Sequence, residues 1–258
     1  MKRIWLTSLL KDEHRIQQVI SRLKQYGLKV DGHFWEDNLE KMAWTGAREE
    51  LIQENTGAWL IYAPGPALEK DSVRYGLSVL MLAVRARKGP GFPVFILTDE
   101  TGMDPGSLPA LLGSAEVLDL GKSTAPARIV ARLHAATAVT SPLDYRIDIY
   151  GNPQIGQWFE IGPAGCQWRG AMFGISSGRV LFHAVGPQGR LPERTVLNYP
   201  LRDMKVRMGD REFTVWAVQN PLTENDSYFV KVEGFPEHCI FGLYAESDET
   251  EVYSLLLR

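Results

Sequence analysis

The sequence predicts an α/β domain built on a parallel, doubly wound sheet, followed by an all-β domain of antiparallel strands. Three observations predict it. Through residues 1–140, short apolar runs alternate with segments of 3.6-residue period, the signature of βαβ units. At Thr140-Ser141-Pro142 the helical period stops. Beyond it, short β-rich runs recur between Gly, Pro, Asn and Asp clusters, the spacing of a sandwich or barrel. A chain of 258 residues can hold both, as domains 1–140 and 144–258.

Taken in order, Arg3–Leu10 is a buried strand rich in Ile, Trp and Leu. Asp12 suits the N-cap of a helix whose Ile16, Val19, Ile20 and Leu23 share one face, and Gly27 ends it. Leu28–Val30 begins a second strand, and a polar, aromatic loop follows over Asp31–Lys41. Trp44–Asn55 reads as a helix and Ala58–Ala63 (AWLIYA) as a fully apolar strand, broken by Pro64-Gly65-Pro66. Ser72–Arg87 is the third helix, Phe92–Thr98 and Ala115–Leu120 are strands, and Ala125–Ala138 closes the domain. The second domain offers nine β-rich runs: 145–150, 157–161, 171–175, 180–185, 195–201, 213–219, 228–233, 239–245 and 252–257.

Composition bounds the function. Hydrophobic residues at 45% and charged residues at 23% are the balance of a globular protein. A net charge of −3 argues against nucleic acid or an anionic bilayer as partner. No apolar run reaches the ~18–20 residues of a membrane span, and the acids that follow the apolar start favour a strand over a signal peptide. Two cysteines without a CxxC, Cys166 and Cys239, suggest buried thiols in a reducing cytoplasm. No histidine pair has metal-ligand spacing, so no metal site is expected. Gly121-Lys122-Ser123-Thr124 imitates the end of a phosphate loop, but Glu116 stands where its first glycine belongs.

Several segments resemble a bacterial-type Toll/interleukin-1 receptor/resistance (TIR) domain, over roughly residues 3–135. They are Ile4-Trp5-Leu6-Thr7-Ser8 with Lys11-Asp12-Glu13, then LKQYGLKV (23–30), Trp44 with Ala47, Leu51 and Ile52, AWLIYAP, Ser72-Val73-Arg74 and FPVFIL. Other flavodoxin-like domains share the layout, nucleoside deoxyribosyltransferases among them. The resemblance implies a flavodoxin-like fold and one of two activities. Many such domains cleave NAD+ at the nicotinamide glycosidic bond with a glutamate early in the third helix. Others work by self-association or docking, often through the loop after the second strand. The family glutamate falls here on Tyr75 or Gly76, and neither supplies a carboxylate.

Glu69, just before the third helix, either stands in for that acid or is a solvated acid favoured by the helix dipole. Ser8 and Asp12 flank the same sheet edge as ligand candidates, with an ordinary N-cap as the alternative for Asp12. Gly65 and Gly76 would admit a close ligand, or serve a turn and helix packing. In the loop His33–Trp44, Phe34, Trp35 and Trp44 present a surface for a partner or for homo-oligomer formation, or else fold back as a lid over the sheet edge. Arg202, Lys205, Arg207 and Arg211 make a basic patch interrupted by acids at 203, 210 and 212. In the second domain, outward aromatics among Trp158, Phe159, Trp168, Phe173, Phe182 and Trp216 would suit sugars or peptides, or else these residues serve the core or an inter-domain contact. The expectation is a non-catalytic interaction or signalling module. The rivals are an NAD+ glycohydrolase and a nucleotide-binding sensor without turnover, with NAD as ligand or substrate.

Overall fold

A computed structural model describes residues 3–99, 103–135, 143–244 and 251–258. The chain divides into two compact units, Met1–Thr140 and Ser141–Arg258. The expected boundary residues 140–142 lie outside the described residues.

The first unit is a five-stranded parallel sheet with helices on both faces. Its strands are β1 (Arg3–Ser8), β2 (Lys29–Phe34), β3 (Thr56–Tyr62), β4 (Val94–Thr98) and β5 (Glu116–Asp119), in the order β2-β1-β3-β4-β5. Period two explains the two faces. Ile4, Leu6, Leu60, Tyr62, Phe95 and Leu97 pack against α1 (Glu13–Gln25) and α4 (Ala125–His134). On the opposite face lie Trp5, Thr7, Trp59 and Ile61, and Trp59 spends its indole N–H on Thr7 Oγ1 at 2.8 Å. The order reverses direction at β1 and β3, so a crevice opens beyond their carboxyl ends, where open α/β sheets bind ligands.

The third helix, α3 (Asp71–Lys88), is buried on every side from Tyr75 through Val84. Such a helix has no solvent face and needs cover on both sides. The second helix supplies part of that cover in an unexpected form. In place of one helix over 44–55, a 3-10 turn (Ala43–Ala47) leads into a short α2 (Arg48–Ile52). Gly46 lies inside the 3-10 turn and weakens the helix there, and Met42 enters it from a left-handed φ of 50°. Residues 136–138 of the expected last helix fall outside the described residues.

The second unit holds nine described strands in two antiparallel sheets. One is a four-stranded sheet of β6 (Tyr145–Asn152), β7 (Gly156–Pro163), β12 (Asp226–Glu233) and β9 (Arg179–Pro187). The other has five: β10 (Leu201–Met208), β11 (Arg211–Val218), β8 (Ala171–Ile175), β13 (His238–Leu243) and β14 (Tyr253–Leu256). The inner faces meet through aromatic pairs: Phe159 on Phe173 at 5.0 Å, His183 edge-on to Trp216 at 4.8 Å, and Tyr145 against Phe241 at 5.1 Å. Of the expected aromatics, Trp168, Phe173, Phe159 and Trp216 are therefore buried, while Phe182 is exposed.

One expected strand is misplaced. Residues 195–200 form no strand; β10 begins at Leu201. Thr195 Oγ1 engages both the N–H and the C=O of Val185, a side-chain cap in place of a ladder, and Pro200 has no N–H to offer. Of the two thiols expected to be buried, Cys239 is, and burial pushes its pKa up to about 12, whereas Cys166 is exposed. Among the described residues no helix is long and apolar enough to cross a membrane.

Two outcomes follow. Replacing Thr7 with Val strands the buried Trp59 N–H, and thermal or urea unfolding should show a loss of about 1–3 kcal/mol. His183 is fully buried, its Nδ1 lies 2.8 Å from the Tyr228 hydroxyl, and burial lowers its pKa to about 4. The unfolded chain takes up this proton near 6.5 and the folded unit only near 4. Stability therefore falls as pH drops through that window and is level with respect to this group above it. Denaturation of His183→Phe against the parent between those values should show the parent with the steeper acid decline.

Candidate functional site

The carboxyl edge of the parallel sheet carries a cleft of about 400 Å³. Three segments bring side chains to it. Leu9 and Lys11 come from the exit of β1, and Trp35, Glu36, Asp37 and Asn38 from the exit of β2. Ala67, Lys70 and Val73 come from a 3-10 turn (Gly65–Glu69) and the first turn of α3. Each segment is there for a local reason. The N–H of Leu9 bonds Tyr62 O and that of Trp35 bonds Ser8 O, so both exits continue the ladder by one residue before turning. Asn38 accepts the N–H of Lys41 at 3.0 Å and closes the loop on itself. Arg74 fixes the start of α3 by donating to Ser107 O at 2.7 Å.

The cleft therefore contains carboxylates, although not from the third helix. Glu36 and Asp37 share it with Lys11 and Lys70. Among the described residues none of these four groups forms an ion pair or a side-chain hydrogen bond. A site of this make-up can accept hydroxyls at the acids and an anionic group at the lysines. Sequence reasoning passed over all four. The signal was present: an acid directly after β2 is where a doubly wound nucleotide site holds a ribose.

The sequence-selected residues fare unevenly. Ser8 is buried and its hydroxyl donates to Leu10 O at 2.6 Å, while Asp12 is the N-cap of α1 and accepts Arg15 N at 2.9 Å. Both shape the β1 exit, and the residues that reach the cleft lie between them. Glu69 ends its 3-10 turn exposed and is not in the cleft lining. Gly65 opens the same turn.

The loop aromatics require a correction. Trp35 and Trp44 are 6% and 1% exposed, and Phe34 packs against the apolar cluster under α1 and α4. They present no aromatic surface; they cover the sheet edge. Gly76 explains why. A Cβ placed there would stand 2.6 Å from Trp35 Cζ2, so only glycine lets the indole lie on α3. The fit is imperfect, because the Trp35 and Trp44 indole nitrogens and the Ser78 hydroxyl are buried without a hydrogen-bond partner. Each such group costs about 1–3 kcal/mol.

A second polar group lies at the same edge of the sheet. Arg15 pairs with Asp99, and the Tyr62 hydroxyl donates to the same carboxylate. Burial alone would raise the Asp99 pKa; the bonds from Arg15 and Tyr62 outweigh it and hold the carboxyl below its ordinary value. Burial, then the bond to Asp99, raises the Tyr62 pKa. The group is mutually satisfied and ties α1 to the ends of β3 and β4.

No family model matches the chain, and no curated protein does. A solved structure of a pilus assembly-related protein from Burkholderia pseudomallei aligns with it at 14% identity and a TM-score of 0.37, over 53% of this chain and 94% of that chain. At that level the residues of the cleft carry the interpretation alone.

The Trp35–Gly76 contact gives a direct test. Gly76→Ala should destabilise the protein by about 1–3 kcal/mol through overpacking against the ring. Trp35→Ala with Gly76→Ala should cost less than the sum of the two single changes, because the two sites share that contact. Additivity in a double-mutant cycle would refute the contact.

Proposed function

We propose that the chain is a non-catalytic TIR-like module, in which a flavodoxin-like unit holds a ligand or a partner without cleaving it and the β-sandwich unit docks. The observation that carries the reading is the indole of Trp35 on Gly76. Where a hydrolytic relative places a glutamate against the ribose, this helix presents a glycine under a tryptophan. Splitting a glycosidic bond requires stabilisation of a cationic sugar, normally by a carboxylate. The adjacent Tyr75 is fully buried within α3 and cannot serve.

The cleft itself favours one ligand class within this reading. Glu36 and Asp37 suit the hydroxyls of a ribose, and Lys11 and Lys70 suit phosphate oxygens, which supports a nucleotide held without turnover. These carboxylates sit on a loop at the cleft margin and are exposed to water. Such a setting does not strengthen electrostatic catalysis as a dry site would.

The deciding assay is nicotinamide release from NAD+ by the full chain, at high protein concentration with a crowding agent to permit assembly. The expected result is no release above the uncatalysed rate. NAD+ should nonetheless protect the protein thermally, and Lys70→Glu should weaken that protection. Robust turnover abolished by Glu36→Gln, Asp37→Asn or Glu69→Gln would establish the glycohydrolase instead.

A further inference from the structure

We propose that the indole of Trp35 is a gate, occupying in the closed structure the seat that the flat base of a bound nucleotide takes when the ring swings out. The inference rests on reading the cleft as a nucleotide site. It adds where the base goes and what must move to admit it.

The first observation is where the indole lies. Trp35 and Val73 both line the cleft. Gly76 is three residues beyond Val73 on the same face of α3, and Cζ2 and Cη2 of the indole cover it. The strip under the ring therefore continues the cleft along the helix. Its floor is backbone without a Cβ, and its side is Leu39, whose Cδ2 is 3.5 Å from where a Cβ of residue 76 would stand. A slot of that shape takes a flat ring. The cleft beside it, at about 400 Å³, is at the small end for a ligand site, so moving the indole makes room for a base next to the sugar and phosphate.

The second is that packing alone holds the ring. A buried tryptophan usually finds an acceptor for its N–H, as Trp59 does on Thr7 Oγ1. Trp35 is buried with its Nε1 unpartnered. Swinging out gives up apolar contact with α3 but hydrates that N–H, so part of the loss is recovered. Trp59 has no such compensation. The two rings are equally enclosed, and only Trp35 gains a hydrogen bond by leaving.

The third is that the backbone stays in place when the side chain moves. Trp35 N is held by Ser8 O at 2.8 Å. The loop after it is closed by its own bonds, from Asn38 N to Glu36 O at 3.0 Å, Met42 N to Leu39 O at 2.8 Å and Ala43 N to Asn38 O at 3.0 Å. Lys41 N adds a bond to Asn38 Oδ1 at 3.0 Å. A change of rotamer at Trp35 alone therefore opens the seat, while Glu36 and Asp37 keep their positions at the cleft. A seat open for a fraction of the time lowers the apparent affinity by that fraction. A gate and a stacking wall thus differ in sign: deleting a gate tightens binding, and deleting a wall weakens it.

The test is titration of the full-length chain with adenosine monophosphate and with ribose 5-phosphate, which lacks the base. Trp35→Ala should tighten the nucleotide by about tenfold, as for a seat open about a tenth of the time, and leave ribose 5-phosphate unchanged. A weakened nucleotide, or equal changes for both ligands, would overturn the proposal. The parent chain gives a second readout that does not depend on how the variant folds. In protein labelled with 5-fluorotryptophan the fluorine sits on Cζ3, clear of the two atoms that touch Gly76. The Trp35 resonance, identified by its loss in Trp35→Phe, should move to a hydrated position with the nucleotide and not with ribose 5-phosphate, while that of Trp59 stays still. A Trp35 resonance unmoved by saturating nucleotide would overturn the gate and leave the nucleotide reading standing. Binding of neither ligand would refute that reading and the seat with it.

Discussion

The contact between Trp35 and Gly76 is the constraint on which the first unit depends. Because α3 is buried all round, the space over its first turns must be filled, and the indole fills it only where the helix lacks a Cβ. That placement fixes the rest of the loop. Glu36 and Asp37 follow the buried ring directly and are carried to the cleft margin. Trp44 is buried beyond them, and the 3-10 turn leads into a shortened α2. A single glycine thus admits the indole that forms one wall of the cleft, and the carboxylates of that cleft come from the loop that follows the ring.

The cost of the arrangement is visible in the buried indole nitrogens that find no acceptor. Apolar burial of two tryptophans, at about 1.5–3 kcal/mol for a large side chain, is sufficient to offset it. The sandwich unit solves a similar problem differently. Its buried Glu160 is satisfied by Tyr150, Ser227 and the Gly189 amide, and it uses those bonds to secure a long surface loop. In the first unit polar atoms are sacrificed to packing. In the second they hold an irregular segment to a regular sheet.

Charge is distributed on the same logic. The first unit is nearly neutral, and four charged groups of both signs, Lys11, Glu36, Asp37 and Lys70, line one cleft. The second is acidic overall, with most of its cations in the stretch from β9 to β10. The modest net charge of −3 conceals both features. A whole-chain charge limits nonspecific partners; it does not exclude a local attractive surface.

By itself the sequence determined the alternation of strands and helices up to residue 135 and the β-rich character after 143, because hydrophobic period is local and is read within each element. It also identified Asp12 as a cap and flagged Gly76 and the aromatics at 34, 35 and 44. What it could not decide was direction and company. Whether Trp35 faces water or a helix depends on Gly76, 41 residues away in the chain. Whether residues 195–200 join a ladder depends on Thr195, whose hydroxyl engages Val185 ten residues away. Glu36, Asp37, Lys11 and Lys70 come from three separate segments and share a cleft only because β1, β2 and the start of α3 end at the same sheet edge. Local propensity acts over a few residues and the chemistry of a site over about 10 Å of space, so only tertiary structure joins them.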